Sequence, residues 1–202
     1  RIQKVQFGVD SRFAQVTACD IASGPQGEAF TIRDRLHGDF AARVPAVGRH
    51  NVYNALAAYT LATRLGLDPA RAAAALGGYR TTGMRQKLVE HEGVRIIEDC
   101  YNANPDSMRA ALETLATLGA GGRRVAVLGD MLELGAISQE AHREVGLLAA
   151  RSGVDCLVTF GPGGALIADG AAAEGLAEVH PCAAKEDAAA LLRAYCRPGD
   201  TV

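Results

Sequence analysis

"VRIIEDCYNANPDSM", residues 94–108, is the stretch that decides how this chain folds. Apolar Val94, Ile96 and Ile97 run as a strand towards Asp99, and a Tyr-Asn-Ala-Asn turn follows. Pro105 then opens a segment in which Met108, Ala111, Leu112 and Leu115 recur at the spacing of one helix face. Strand, polar turn and helix in succession are the unit of an open α/β sheet, whose ligands settle at the carboxyl ends of strands. Helix N-termini offer donors there, and an acid in the place of Asp99 can accept ribose hydroxyls. The same acid can equally hold a neighbouring turn.

Working outward, the pattern repeats downstream. "QKLVEH" and "VRIIED" flank "EG", a hairpin signal. Beyond it strands are expected near 123–128, 155–160 and 176–180, with helices near 105–118, 138–152, 162–173 and 184–196. Such alternation implies a mostly parallel, Rossmann-like sheet covered by helices on both faces. Thr201 and Val202 look like the opening of a further strand, and both ends of the chain read as cuts.

Upstream the period changes. "VQFGV", "FAQVTACDI", "EAFTIRDRL" and "DFAARVPAV" are short extended segments parted by turn clusters, which implies an antiparallel sheet or meander over residues 1–47. "NVYNALAAYTLATRLG" reads as a helix with Asn51 as N-cap and Gly66 as its stop, and a second helix spans about Pro69 to Leu76. "GGYRTTGMRQ" breaks both patterns and marks the boundary between residues 1–80 and 81–202.

Composition narrows the partners. The 202 residues are 49% hydrophobic with a formal net charge of −2, which suits one or two packed domains and argues against a nucleic-acid binder. No run approaches the ~18 apolar residues of a membrane span, and the first residues lack a signal-peptide core, so the protein is expected in the cytoplasm and away from membranes. Five cysteines, never spaced Cys-x-x-Cys, are expected to be reduced and mostly buried. His37, His50, His91, His142 and His180 show no ligand spacing, so no metal site made from this chain alone is expected.

Several side chains have chemistry suited to a nucleotide. Asn51 and Asn54 lie three apart on one face of a first helical turn, where a carboxamide can pair with the N6 and N7 edge of adenine or simply cap the helix. Capping suits Asn51; for Asn54 both uses stay open. Arg85 can fork onto phosphate oxygens or lie solvated at the surface. Asn104 is the natural cap before Pro105, and Asn102 can brace the turn. Asp130 and Glu133 in "LGDMLELG" follow a strand and can orient a cationic amine or serve as loop acids. "FGPGGALIADG" places Leu166 where a dinucleotide fingerprint needs its third glycine, and no G-x-x-x-x-G-K-[ST] occurs.

"GRHNVYNALAA", "TGMRQKLVEHEGVRIIEDCYNANPDSM" and "AVLGDMLELG", in this order and spacing, resemble the Mur ligase family over essentially the whole chain. The resemblance implies a three-domain, ATP-dependent amide ligase, with residues 1–80 as the antiparallel-strand and helical tail of its central ATPase domain. Residues 81–202 would then form most of the Rossmann-like third domain. "DCYNANPDSM" with "GDMLELG" points to the member that joins D-alanyl-D-alanine to UDP-MurNAc-tripeptide through an acyl phosphate, a step of peptidoglycan precursor synthesis. It implies ATP and Mg²⁺ as cofactors, with the phosphate loop and Mg²⁺ ligands upstream, and a monomer whose partners are these small molecules. By the same resemblance Asn54 contacts adenine, Arg85 reaches the ATP ribose or phosphates, and Asp99 binds the ribose. Tyr101, Asn102 and Asn104 lie beside the reacting centre, Asp130 and Glu133 face the dipeptide, and no catalytic residue proper falls in this chain, which is expected to be inactive alone. The competing expectations are another Mur-type or folylpolyglutamate-like amino-acid ligase, and a non-catalytic nucleotide-binding module.

Overall fold

Four strands open the chain: β1 (Phe7–Val9), β2 (Val16–Gly24), β3 (Gly27–Asp34) and β4 (Gly38–Val44). They form one sheet in that order in a computed structural model that describes residues 4–80, 86–119 and 121–202. β2, β3 and β4 pair antiparallel as expected, but β1 pairs with β2 in parallel, so this sheet is mixed and not a plain meander. The reason lies in residues 10–15, which return the chain to the start of β1, where the Gln15 and Val16 amides both donate to the Gln6 carbonyl.

Helices α1 (Arg49–Arg64) and α2 (Pro69–Ala75) belong to the same unit, and α2 runs on into a 3-10 turn, Leu76–Gly78. Val16, Ile32, Val52, Leu56 and Tyr59 are all but sealed from solvent in their shared core. Burying each such side chain contributes about 1.5–3 kcal/mol. Gly66, at φ 91°, ends α1 as expected: its amide donates to Thr63 and that of Leu67 to Ala62, which satisfies the last carbonyls. Asn51 is not the N-cap. The cap is Gly48, three residues earlier, whose amide donates 2.7 Å to Oε1 of buried Glu28 on β3. Asn51 is buried and its Nδ2 donates to the Val47 carbonyl.

The second unit, bounded at Thr82–Val202, starts with the expected hairpin: β5 (Lys87–His91) and β6 (Val94–Glu98) joined through Glu92 and Gly93, both at positive φ. Helix α3 (Pro105–Leu118) follows, then β7 (Val125–Leu128), α4 (Ser138–Arg151), β8 (Cys156–Phe160), α5 (Pro162–Ala173), β9 (Val179–Cys182) and α6 (Lys185–Tyr195). β7, β8 and β9 pair in parallel. β9 starts later than 176 because Leu176 closes α5: its amide donates to Ala171 and that of Gly175 to Ala172.

Thr201 connects the hairpin to this sheet. It bridges in parallel to Arg95 on one side and to Arg124 on the other, with the Arg95 amide donating to Asp200 and the Ile97 amide to Val202. The Val125 amide completes the pattern by donating to Thr201. Residues 200–202 are therefore strand-like, as the sequence suggests, and they complete a mostly parallel sheet running from β5 to β9.

Alternation along β7 and β8 sends side chains to two cores. Ala126, Leu128 and Leu157 face the helices α3, α4 and α5, while Val125, Cys156 and Val158 face α6. Among the cysteines only Cys156 is fully buried, where desolvation pushes its thiol pKa up; Cys100 is exposed and the other three are half-buried, so "mostly buried" does not hold.

Candidate nucleotide and amine site

Because β6, β7 and β8 all run parallel through Thr201 and their own pairings, their carboxyl ends lie on one edge of the sheet. Three loops leave that edge: residues 99–104 after β6, 129–137 after β7, and Gly161 after β8. The first two share a footing, since Ile97, Ala103 and Leu134 pack on the same apolar cluster as Met108 and Met131.

Asp99 stands half-buried one residue past β6, at the strand end where its sequence places it. Tyr101 and Asn102 are exposed on the turn, and Ala103 between the asparagines is its apolar anchor. Asn104 caps α3: Oδ1 accepts from the Ser107 amide at 2.8 Å, and Ser107 Oγ accepts in return from the Asn104 amide at 2.9 Å. Such a reciprocal box satisfies two donors that a helix start otherwise leaves open. Asn104→Ala is therefore expected to cost about 1 kcal/mol. A urea titration of the chain followed by far-UV circular dichroism checks this; an unchanged midpoint would remove the cap from the account.

The 129–137 loop is clamped at its base. Asp130 Oδ1 accepts from the Gly163 and Gly164 amides at 2.8 and 3.0 Å, the first turn of α5. A carboxylate there complements the helix dipole. A Cβ on Gly161, at φ 87°, would fall 2.5 Å from the same oxygen. The glycines of "FGPGG" thus make room for this chain's own acid at the α5 N-terminus. Met131 is buried, its amide donating 2.9 Å to His142 Nε2. Leu132 and Glu133 stand out in solvent, Glu133 with φ 64°, a conformation few non-glycine residues adopt.

In the first unit Asn54 is exposed on α1, unlike buried Asn51 three residues before it, so its carboxamide is available to a base edge. Arg85 lies outside the described residues. His142 carries no periodic or spacing signal, and its part in the 129–137 loop was not visible in the sequence. Among the described residues no group of three or more His, Cys, Asp or Glu side chains is placed to hold a metal ion.

The Mur ligase, glutamate ligase domain family matches residues 84–202. The chain belongs to the Mur ligase family. Relatives named UDP-N-acetylmuramoyl-tripeptide–D-alanyl-D-alanine ligase come from Bacillus subtilis, 40% identical over 75% of this Mur ligase chain and 33% of theirs, and Mycobacterium leprae, 36% identical over 100% and 44%. A crystal structure of MurF from Acinetobacter baumannii superposes with a TM-score of 0.80 at 30% identity, covering 94% of this chain and 40% of that one. The chain thus spans less than half the length of these relatives.

Proposed function

We propose that this Mur ligase chain is part of an ATP-dependent ligase that adds D-alanyl-D-alanine to UDP-MurNAc-tripeptide in peptidoglycan precursor synthesis. The observation that carries this reading is the pair of loops on one sheet edge, "DCYNANPDSM" and "GDMLELG", in a chain whose relatives bear that ligase's name. Asn54 pairs with the adenine edge, Asp99 accepts ribose hydroxyls and Arg85 reaches phosphate oxygens. The γ-phosphoryl group passes to the tripeptide carboxylate, the dipeptide amine attacks the acyl phosphate, and phosphate leaves from the tetrahedral intermediate. Tyr101, Asn102 and Asn104 form the turn beside the reacting carboxylate. Of the two loop acids, exposed Glu133 meets the amino end of the dipeptide, while Asp130 spends one oxygen on α5 and holds the loop in place. Catalysis of this kind consists mainly of positioning and charge neutralisation. The Mg²⁺ such chemistry uses would take its ligands from outside the described residues. Among these residues no helix is long and apolar enough to cross a membrane, and the reading places the ligase in the cytoplasm as a monomer.

The acyl phosphate makes the test. The intact ligase, given ATP, Mg²⁺, UDP-MurNAc-tripeptide and hydroxylamine in place of the dipeptide, is expected to release phosphate and form the tripeptide hydroxamate. Release of pyrophosphate and AMP instead would mean that the carboxylate is activated by adenylation and that the reading is wrong.

A further inference from the structure

His142 lies on α4 with 2% of its surface exposed, and its two ring nitrogens hydrogen-bond in opposite senses, Nδ1 to Ser138, whose Oγ also lies 3.4 Å away, and Nε2 to Met131. The Met131 amide can only donate, so Nε2 accepts, at 2.9 Å. The ring proton therefore sits on Nδ1, which donates 2.6 Å to the Ser138 carbonyl one helical turn back. An apolar side chain of similar volume would fill this space but leave the buried Met131 amide without its acceptor, a costly state for any backbone donor.

The ring also rests on α5. A Cβ on Gly163 would lie 2.3 Å from Nε2, so glycine at that position is what lets the imidazole reach the Met131 amide. The same Gly163 donates its amide to Asp130, the residue before Met131. Two consecutive residues are thus pinned, one to α5 and one to α4, and Leu134 returns to the apolar cluster beyond them. Leu132 and Glu133 stand exposed between Met131 and Leu134, and Glu133 holds a left-handed backbone.

We infer that His142 is a positioning residue for the amine substrate, acting through the Met131 amide to fix where the Glu133 carboxylate stands. This rests on the function proposed above. The role differs from general packing in what it requires: an acceptor at the Nε2 position, irrespective of ring shape.

Two replacements separate these properties in the intact ligase. His142→Gln puts an amide oxygen close to the Nε2 position and keeps the acceptor, whereas His142→Asn keeps a donor towards Ser138 and loses it. His142→Asn is expected to raise the KM for D-alanyl-D-alanine roughly tenfold while the KM for ATP stays put, and His142→Gln to restore most of the loss, because misplacing a substrate-binding group is felt in the step that uses it. Gly163→Ala should reproduce the Asn phenotype by displacing the ring. In a His142→Ala background, where the space is open, it should add nothing further. An unchanged dipeptide KM in both His142→Asn and Gly163→Ala, with ATP kinetics intact, overturns the inference; so does an equal rise in both KM values. If the intact protein does not accept the dipeptide at all, the proposed function fails, and the clamp is then judged by amide exchange of Met131 in this chain. Protection kept in His142→Gln and lost in His142→Asn supports it; equal protection in the two overturns it.

Discussion

Asp99→Ala in the intact ligase is expected to raise the KM for ATP roughly ten- to a hundredfold, the worth of a hydrogen bond to a charged group at about 1.5–3 kcal/mol. Asp99 is half-buried at the end of β6, on the edge where parallel sheets receive nucleotides. Asn54→Ala and Arg85→Ala are expected to act on the same constant, through the adenine edge and the phosphates. Initial rates against ATP concentration measure all three, with Cys156→Ala as a control that reaches stability at most, since that thiol is sealed behind α6. A lowered melting temperature with unchanged ATP kinetics in Asp99→Ala would mean that the acid holds its turn and binds no ribose. Unchanged kinetics in all three variants would remove them from the site.

The largest stability effect is expected at Asp200, which is 4% exposed and lies in the stretch that joins β6 to β7. Arg123 grips it with two bonds, Nε to Oδ1 at 3.0 Å and an Nη to Oδ2 at 2.6 Å. The same guanidinium stacks over the Tyr195 ring and donates to the Tyr195 carbonyl, and the Arg197 amide also donates to Asp200. Asp200→Ala strands these donors and loosens the central strand. Arg123 keeps contact with water, so the loss is set below that of a fully buried pair, at about 2–3 kcal/mol by urea unfolding at neutral pH.

The same pair sets an acid limit. The Arg123 hydrogen bonds hold the Asp200 carboxyl below its usual pKa against the opposing effect of burial. A carboxylate whose native pKa is depressed stabilises the fold fully above its unfolded value of ~3.9, and the contribution disappears as pH falls through the native value. The gap in urea midpoint between wild type and Asp200→Asn should therefore shrink below about pH 4. A gap constant down to pH 2 would show that the charge is not what the arginine holds.

Local patterns in the sequence were enough for most elements. Pro105 after Asn104, the Glu92–Gly93 turn and the Gly66 stop each act within a few residues of themselves, and each stands where its pattern puts it. What escaped depends on partners distant in sequence. The parallel pairing of β1 with β2 follows from how residues 10–15 fold back, and the start of α1 is set by Glu28, twenty residues upstream. Asp130 meets α5 across thirty-three residues, which no spacing rule anticipates. The site shows the same division. The places of Asp99, Tyr101 and Asn102, at a strand end and on a turn, were legible because these are local features, whereas the grip of His142 on the Met131 amide exists only once α4 packs under the loop.

Which amine the ligase accepts is the decisive measurement. Intact protein supplied with ATP, Mg²⁺ and UDP-MurNAc-tripeptide should be offered D-alanyl-D-alanine, L-lysine, diaminopimelate and glutamate in turn, with phosphate release and the mass of the amide product followed together. Turnover and a new amide with D-alanyl-D-alanine alone is the predicted result. Amide formation with one of the single amino acids in place of the dipeptide would contradict it.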